Sequence, residues 1–249
     1  MREIIGIVSG KGGVGKTTVT VNLGMAMHKL GENVVIVDGD LKNPNFGMHL
    51  GVFNYDVTLN EALEREMPLF EALHIHETGL RFIPAHISLH YLNTNPNKLK
   101  NAFESFDCKI LIDSPPGLDK CALAVMEACD KIIAVTTPYL PDLTDCMKTI
   151  EVALDMGKKV EGIVLNSLRY EDYEIKSEEI EAITGFPILQ KIPWDENILR
   201  SLARKRPLVD LQDISPAAIS FYELASKLTG IKYRRPLFLE LRRFFAPRL

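Results

Sequence analysis

Gly10-Lys11-Gly12-Gly13-Val14-Gly15-Lys16-Thr17 narrows what this chain can fold into more than any other segment. It follows a short apolar run, Glu3–Ser9, and opens a helix-like segment, Thr17–Leu30, that Gly31 stops. Glycines let successive backbone N–H groups turn inward and wrap an anion. A helix starting there adds the partial positive charge of its N-terminus. A G-x-x-x-x-G-K-[ST] pattern between a buried strand and a helix is a phosphate-binding loop. Lys16 is placed to reach the β- and γ-phosphates of a nucleotide, and the Thr17 hydroxyl to ligate Mg²⁺, a hard cation that prefers oxygen. Gly10 through Thr18 is therefore read as an ATP site.

The rest of the chain alternates apolar runs with helix-like segments. Asn33–Asp38, Lys109–Asp113, Lys131–Thr136, Val160–Leu165 and Pro187–Ile192 read as further strands. Thr58 is placed to cap a helix through Arg65, and Asn97–Phe106, Leu118–Cys129 and Pro141–Met156 read as helices. Ser177–Thr184, with Ser177 as cap, and Ser215–Leu228, capped by Ser215 with Pro216 at its first turn, complete the set. Continuous rather than alternating apolar strands mean burial on both faces, which requires a mostly parallel central sheet flanked by helices. The expectation is a three-layer α/β P-loop NTPase fold over residues 1–230, followed by a C-terminal amphipathic helix within 231–249.

Acidic residues at strand ends complete the site. A parallel sheet presents its ligand crevice at the carboxyl ends of its strands. Asp38 and Asp40 stand at the end of the second run, and Asp113 ends Lys109–Asp113. Asp113 is placed to orient Mg²⁺ and its waters. Any one of these aspartates could equally serve as a helix cap or turn residue; three of them beside a phosphate loop argue for the site.

The loop carries a second lysine, in Lys11-Gly12-Gly13-Val14-Gly15-Lys16-Thr17-Thr18, and this resembles the deviant Walker A motif of the MinD/ParA family of ATPases. The resemblance covers essentially the whole chain. It implies that Lys11 crosses to a partner subunit's nucleotide as a cation in trans, that ATP and Mg²⁺ bridge a homodimer, and that hydrolysis releases it. Val37-Asp38-Gly39-Asp40 with Asn43-Pro44-Asn45 is similar to the family's switch I, implying that Asp40 positions the attacking water, that Asn45 lies near the phosphates and that Asp38 acts on Mg²⁺ through water. Asp113-Ser114-Pro115-Pro116-Gly117 is similar to its Walker B and switch II, and Thr136-Thr137-Pro138 with Asp142 and Asp145 to the segment lining the dimer and partner face. Asn166 resembles the adenine-binding asparagine, and Ile192-Pro193-Trp194-Asp195 the loop near the base, which assigns Pro193 and Asp195 to the nucleotide. There are departures: Pro44 stands where many relatives have Arg, and Trp194 replaces a usual acid.

Net charge is −4, so nothing at the level of the whole chain favours nucleic acid as a partner. The charge is uneven, however: residues 232–249 hold six bases and one acid on an otherwise acidic body. Within Arg234–Leu249, Leu237, Phe238, Leu241, Phe244 and Phe245 fall on one stripe of a helix, with Arg242 and Arg243 beside it. Large apolar residues next to bases mark a helix that lies in a headgroup layer, and the segment is similar to the membrane-targeting helix of MinD-type members. The alternatives are packing on the protein's own body or against a partner helix. The four cysteines form no C-x-x-C or C-x-C pair and read as free, mostly buried thiols. His86 and His90, four apart, read as a surface pair rather than metal ligands.

The first strand begins almost at Met1 and no apolar run reaches the ~18–20 residues of a membrane span. A cytoplasmic protein, peripheral on the inner face of the cell membrane, is expected. The function expected is that of a slow ATPase, stimulated by an unidentified protein, that dimerises on ATP and positions cell division or another cellular machine. A ParA-like DNA-segregation ATPase and an iron–sulfur carrier of the same superfamily are the alternatives. The acidic body speaks against the first and the unpaired cysteines against the second; a flagellar or pilus number regulator would share the chemistry.

Overall fold

The computed structural model describes residues 2–86, 95–212 and 214–235. The six anticipated apolar runs are strands: β1 (Glu3–Val8), β2 (Val34–Asp38), β5 (Lys109–Asp113), β6 (Lys131–Thr136), β7 (Lys159–Leu168) and β8 (Ile188–Pro193). Two very short strands, β3 (His74–Ile75) and β4 (Arg81–Ile83), were not evident in the sequence. Together they form one sheet in the order β3-β4-β2-β5-β1-β6-β7-β8. Every pairing is parallel except β3 with β4.

Burial on both faces explains the unbroken apolar runs. In β5, Ile110 and Ile112 join one core layer while Leu111 between them joins the other. On the first face lie α3 (Leu59–Glu64), α4 (Leu99–Ala102), α5 (Lys120–Ala128), α6 (Leu140–Asp155) and α7 (Ser177–Thr184). On the second lie α1 (Lys16–Lys29), α2 (Phe46–Leu50), α9 (Leu208–Leu211) and α10 (Pro216–Thr229), with Ile198 of α8 (Glu196–Ala203) packed against them. The result is the three-layer α/β fold.

Several boundaries differ from the sequence reading. Asn97–Phe106 is not one helix: a 3-10 turn at Pro96–Lys98 leads into the four residues of α4. Phe103 is wholly buried and Phe106 packs edge-on against it, which turns the chain over the core instead of along an axis. Ser177 does not cap α7. Lys176 holds that position, and the Ser177 hydroxyl donates to Glu178 (2.8 Å). β7 runs three residues beyond Leu165 because Leu168 still pairs with Pro193 of β8. The Thr58 N–H donates to Glu61 (3.0 Å), as a capping box requires.

α10 ends at Thr229, with Gly230 in the left-handed conformation (φ 74°) that stops a helix. Beyond it Tyr233 stacks on Tyr222, and Arg235 pairs with Glu223. The expected C-terminal helix, with Leu237, Phe238, Leu241, Arg242, Arg243, Phe244 and Phe245, lies outside the described residues, as does His90. Among the described residues no helix is long and apolar enough to cross a membrane.

Candidate functional site

β1 occupies the middle of the sheet, so the glycine loop that follows it opens at the centre of the crevice. Two glycines there admit no other residue. A Cβ on Gly10 would lie 2.1 Å from the Asp145 carbonyl oxygen of α6. Gly15 has φ +87°, and a Cβ on it would lie 2.2 Å from Asn166 Nδ2. The loop is thus pressed onto α6 on one side and onto β7 on the other.

Lys16 is buried and its ammonium lies 3.1 Å from Asp113 Oδ1. Thr17 Oγ1 donates to Asp113 Oδ2 (2.6 Å), and Thr20 Oγ1 to Asp113 Oδ1 (3.2 Å). Asp38, wholly buried, accepts the backbone N–H groups of Asp40 (3.2 Å), Asn45 (2.8 Å) and Phe46 (3.0 Å). Burial first, and then the Asp113 carboxylate, push the Asp38 carboxyl up to about 7, against those hydrogen bonds. Asp40 is also raised by burial, while its Oδ1 accepts from the N–H groups of Asn43 (2.9 Å) and Lys42 (3.3 Å). Its neighbour His49 is driven down to about 4 by burial and is therefore a neutral ring at pH 7.

These residues border a cavity of about 430 Å³ lined by Ser9, Lys11, Gly12, Gly13, Gly15, Lys16, Thr17, Thr18, Asp40, Asn43, Asn45, His49 and Pro116. Most of the sequence-derived site is brought together here. Asp38 and Asp113 stand behind the lining, one hydrogen bond from it. Gly10 and Val14 are not among the lining residues, and the Val14 carbonyl accepts from Asn166 Nδ2 (2.8 Å). That bond holds the amide with Oδ1 as the acceptor that remains. Asp195 is engaged structurally: its Oδ1 accepts from Asn197 N (2.9 Å) at the cap of α8 and its Oδ2 from Ala217 N (3.3 Å). Pro193 and Asp195 do not line the cavity. His49 was missed, because a lone histidine on a short apolar segment gives no signal in sequence.

The two lysines of the loop have opposite environments. Lys16 is enclosed, whereas the Lys11 side chain is 54% exposed and its ammonium reaches Asp142 Oδ1 (3.0 Å) in the first turn of α6. Burial raises the Asp142 carboxyl, but hydrogen bonds from the Thr137 hydroxyl and Lys11 outweigh it and hold the group below the usual carboxylate range. Lys42 Nζ meets Asp119 (2.8 Å) and so ties the loop after β2 to the start of α5. All four cysteines are buried thiols outside the cavity lining.

The donor chemistry fits magnesium: a threonine hydroxyl and three carboxylates are hard oxygen ligands. A carboxyl pushed up to about 7 beside a second carboxylate is a place where added positive charge would be favoured.

Residues 5–208 match the family model described as the CobQ/CobB/MinD/ParA nucleotide binding domain. An uncharacterized ATP-binding protein of Methanocaldococcus jannaschii is 32% identical over 241 residues, covering 95% of this chain and 91% of the relative. The septum site-determining protein MinD of Pyrococcus horikoshii, solved with Mg-ADP, superposes with a TM-score of 0.87 at 34% identity, covering 92% of this chain and 96% of that one. The MinC:MinD cell division complex of Aquifex aeolicus gives a TM-score of 0.81 at 28% identity, covering 94% and 98%.

Proposed function

From the premise that this chain belongs to the MinD/ParA family of nucleotide-binding ATPases, which bind ATP with magnesium, we propose that it is a MinD-like ATPase switching between a monomer and an ATP-bound homodimer. The observation that carries this reading is the contrast between the two loop lysines. Lys16 is enclosed and serves the nucleotide of its own chain. Lys11 lies exposed at the cavity rim against Asp142, and on this reading it serves the partner's nucleotide. A cation delivered in trans meets the charge that develops on the transferring phosphoryl group.

The remaining roles are those the family resemblance assigns. The backbone of Gly10–Thr18 wraps the phosphates. Thr17 would hold the magnesium ion, with Asp38 and Asp113 orienting its waters; bound there, the ion supplies charge neutralisation between the phosphates. Asp40 orients a water whose oxygen bonds to the γ-phosphorus while the bond to the β,γ-bridging oxygen breaks, giving ADP and phosphate. Asn45 stands beside the phosphates. The Asn166 acceptor suits the exocyclic amino group of adenine, with Pro193 and Asp195 shaping the loop near the base. Residues 1–230 form the ATPase domain, and 231–249 a tail that holds the dimer peripherally on an anionic membrane. Turnover is slow and stimulated by a protein partner, and the assembly positions cell division or another machine. The MinC:MinD complex supports a partner of that kind.

Light scattering coupled to size-exclusion chromatography tests the central claim. ATP should convert wild-type protein to a dimer, and Lys11→Ala should stay monomeric while still binding nucleotide. An ATP-dependent dimer of Lys11→Ala would sink the role of that lysine.

A further inference from the structure

A second feature lies away from the nucleotide, at the β8 edge of the sheet. The loop between β7 and α7 carries Tyr170 and Tyr173, which are 69% and 64% exposed. Tyr173 stacks on Tyr139 with ring centroids 6.3 Å apart. Arg169 lies 4.5 Å over the ring of Trp194, itself 43% exposed. The loop is prebuilt rather than loose. The Glu174 carboxylate accepts the backbone N–H groups of Arg169 (2.9 Å), Tyr170 (2.7 Å) and Glu171 (3.3 Å). This fixes the loop with its aromatic rings outward. Beside it runs a groove of about 430 Å³, with Leu168, Tyr170, Ile175 and Lys191 among its walls. Exposed aromatic residues and arginine grouped on a rigid surface have the composition of a docking site.

Charge and chain path select the occupant. Between residues 169 and 185 there are six acids and two bases, so the apolar groove is rimmed with negative charge. The chain's own tail has the complementary character: residues 236–249 hold three bases (Arg242, Arg243, Arg248) and one acid (Glu240), with Leu and Phe on one stripe. The tail also leaves the body at this edge. Arg235 pairs with Glu223, Glu223 accepts from Gln190 Nε2 (3.0 Å), and the next residue of β8, Lys191, points to the opposite side and meets Glu178 at the groove (3.6 Å). Among the described residues β8 is the last strand of the sheet, with no further strand between the two sides. Residues 236–249 as a helix span about 21 Å, enough to round one strand edge.

We propose that residues 236–249 dock in cis in the groove between the β7–α7 loop and β8. Docking hides the apolar stripe of the tail from lipid. The inference rests on the reading of this tail as the membrane-binding segment. It adds that the tail is withheld by the body until a membrane, or a subunit arriving at the Lys11 side of α6 next to Tyr139, competes for one of the two surfaces. Tethering keeps the local concentration of the tail high, so a weak contact suffices.

Trp194 is the only tryptophan in the chain and reports on this surface. Acrylamide quenching of its emission is measured on the full-length ADP-bound protein without lipid. Wild type should be shielded. Leu241→Asp/Phe244→Asp, which spoils the tail, and Glu171→Gln/Asp172→Asn, which removes rim charge without adding bases that attract lipid, should each raise the quenching constant about two-fold. Equal quenching in all three proteins overturns the proposal. Binding to phosphatidylglycerol vesicles is measured in parallel. Glu171→Gln/Asp172→Asn should bind at least three-fold more than wild type in ADP, and an unchanged value argues against withholding. If no protein binds vesicles even in ATP while quenching still differs as stated, docking stands and the membrane reading falls.

Discussion

Among the residues of the site, Asp38 stands far from its behaviour in water. Its carboxyl is pushed up to about 7, so between about pH 4 and pH 7 the folded protein holds a proton that the unfolded chain has released. Stability contributed by this group is therefore complete below pH 4 and is lost as pH rises through 7. The upper bound is on the order of 4 kcal/mol, from roughly three pKa units. His49 acts in the opposite sense: driven down to about 4, it adds stability that is lost as pH falls from about 6.5 to 4. Only a difference isolates Asp38. Chemical denaturation of wild type and Asp38→Asn at pH 5, 6, 7 and 8 should show wild type losing ground steadily to the variant, and a gap independent of pH would refute the raised carboxyl. Lys16, Thr17 and Asp113 could be recognised from residue type and spacing alone, because backbone phosphate loops tolerate little variation. The environment that raises the Asp38 carboxyl could not, since it combines burial in the folded core with the charge of Asp113, seventy-five positions away in sequence and opposite it on the paired strand.

At the level of elements, α5 shows how one side chain can serve two neighbours. Asp119 Oδ1 caps the helix by accepting from Cys121 N and Ala122 N (both 3.0 Å), while Oδ2 receives Lys42. Removing a cap of this kind costs about 1 kcal/mol. Asp119→Ala should lower the melting temperature by roughly 2–4 °C, and Asp119→Asn, which keeps the cap and weakens the Lys42 tie, should recover most of it. Equal losses in both variants would assign the effect to the ion pair. The long elements were legible in the sequence because each had a continuous apolar run or a clear stop such as Gly31 or Gly157. The hairpin of β3 and β4 was not, since strands of two and three residues are too short for a period to register. α8 was also missed: it is only eight residues long, so its apolar positions Ile198, Leu199 and Leu202 cover barely two turns.

For the molecule as a whole, the proposed cycle links hydrolysis to membrane residence. In that cycle one tail alone would bind lipid weakly, whereas two on a dimer would gain avidity of roughly 10²–10⁴. Asp40→Ala removes the carboxylate proposed to orient water and should leave assembly intact. Sedimentation with anionic vesicles in ATP should then show this variant retained on lipid long after wild type has been released. Release at the wild-type rate would mean that Asp40 is not the water-orienting group.

The position of β1 bears on how such a chain can be made. It is made before β5 and β6, yet it lies between them, and the register partner of Glu3 is Lys109. At about 5–20 residues per second, the glycine loop waits several seconds or longer for the neighbours that hold it in place. No product that stops short of Asp113 can assemble the site, because its two sides are synthesised more than a hundred residues apart. Nucleotide affinity is thus acquired late and all at once during synthesis. A stalled or truncated product would carry the most conspicuous motif of the family without the ability to use it.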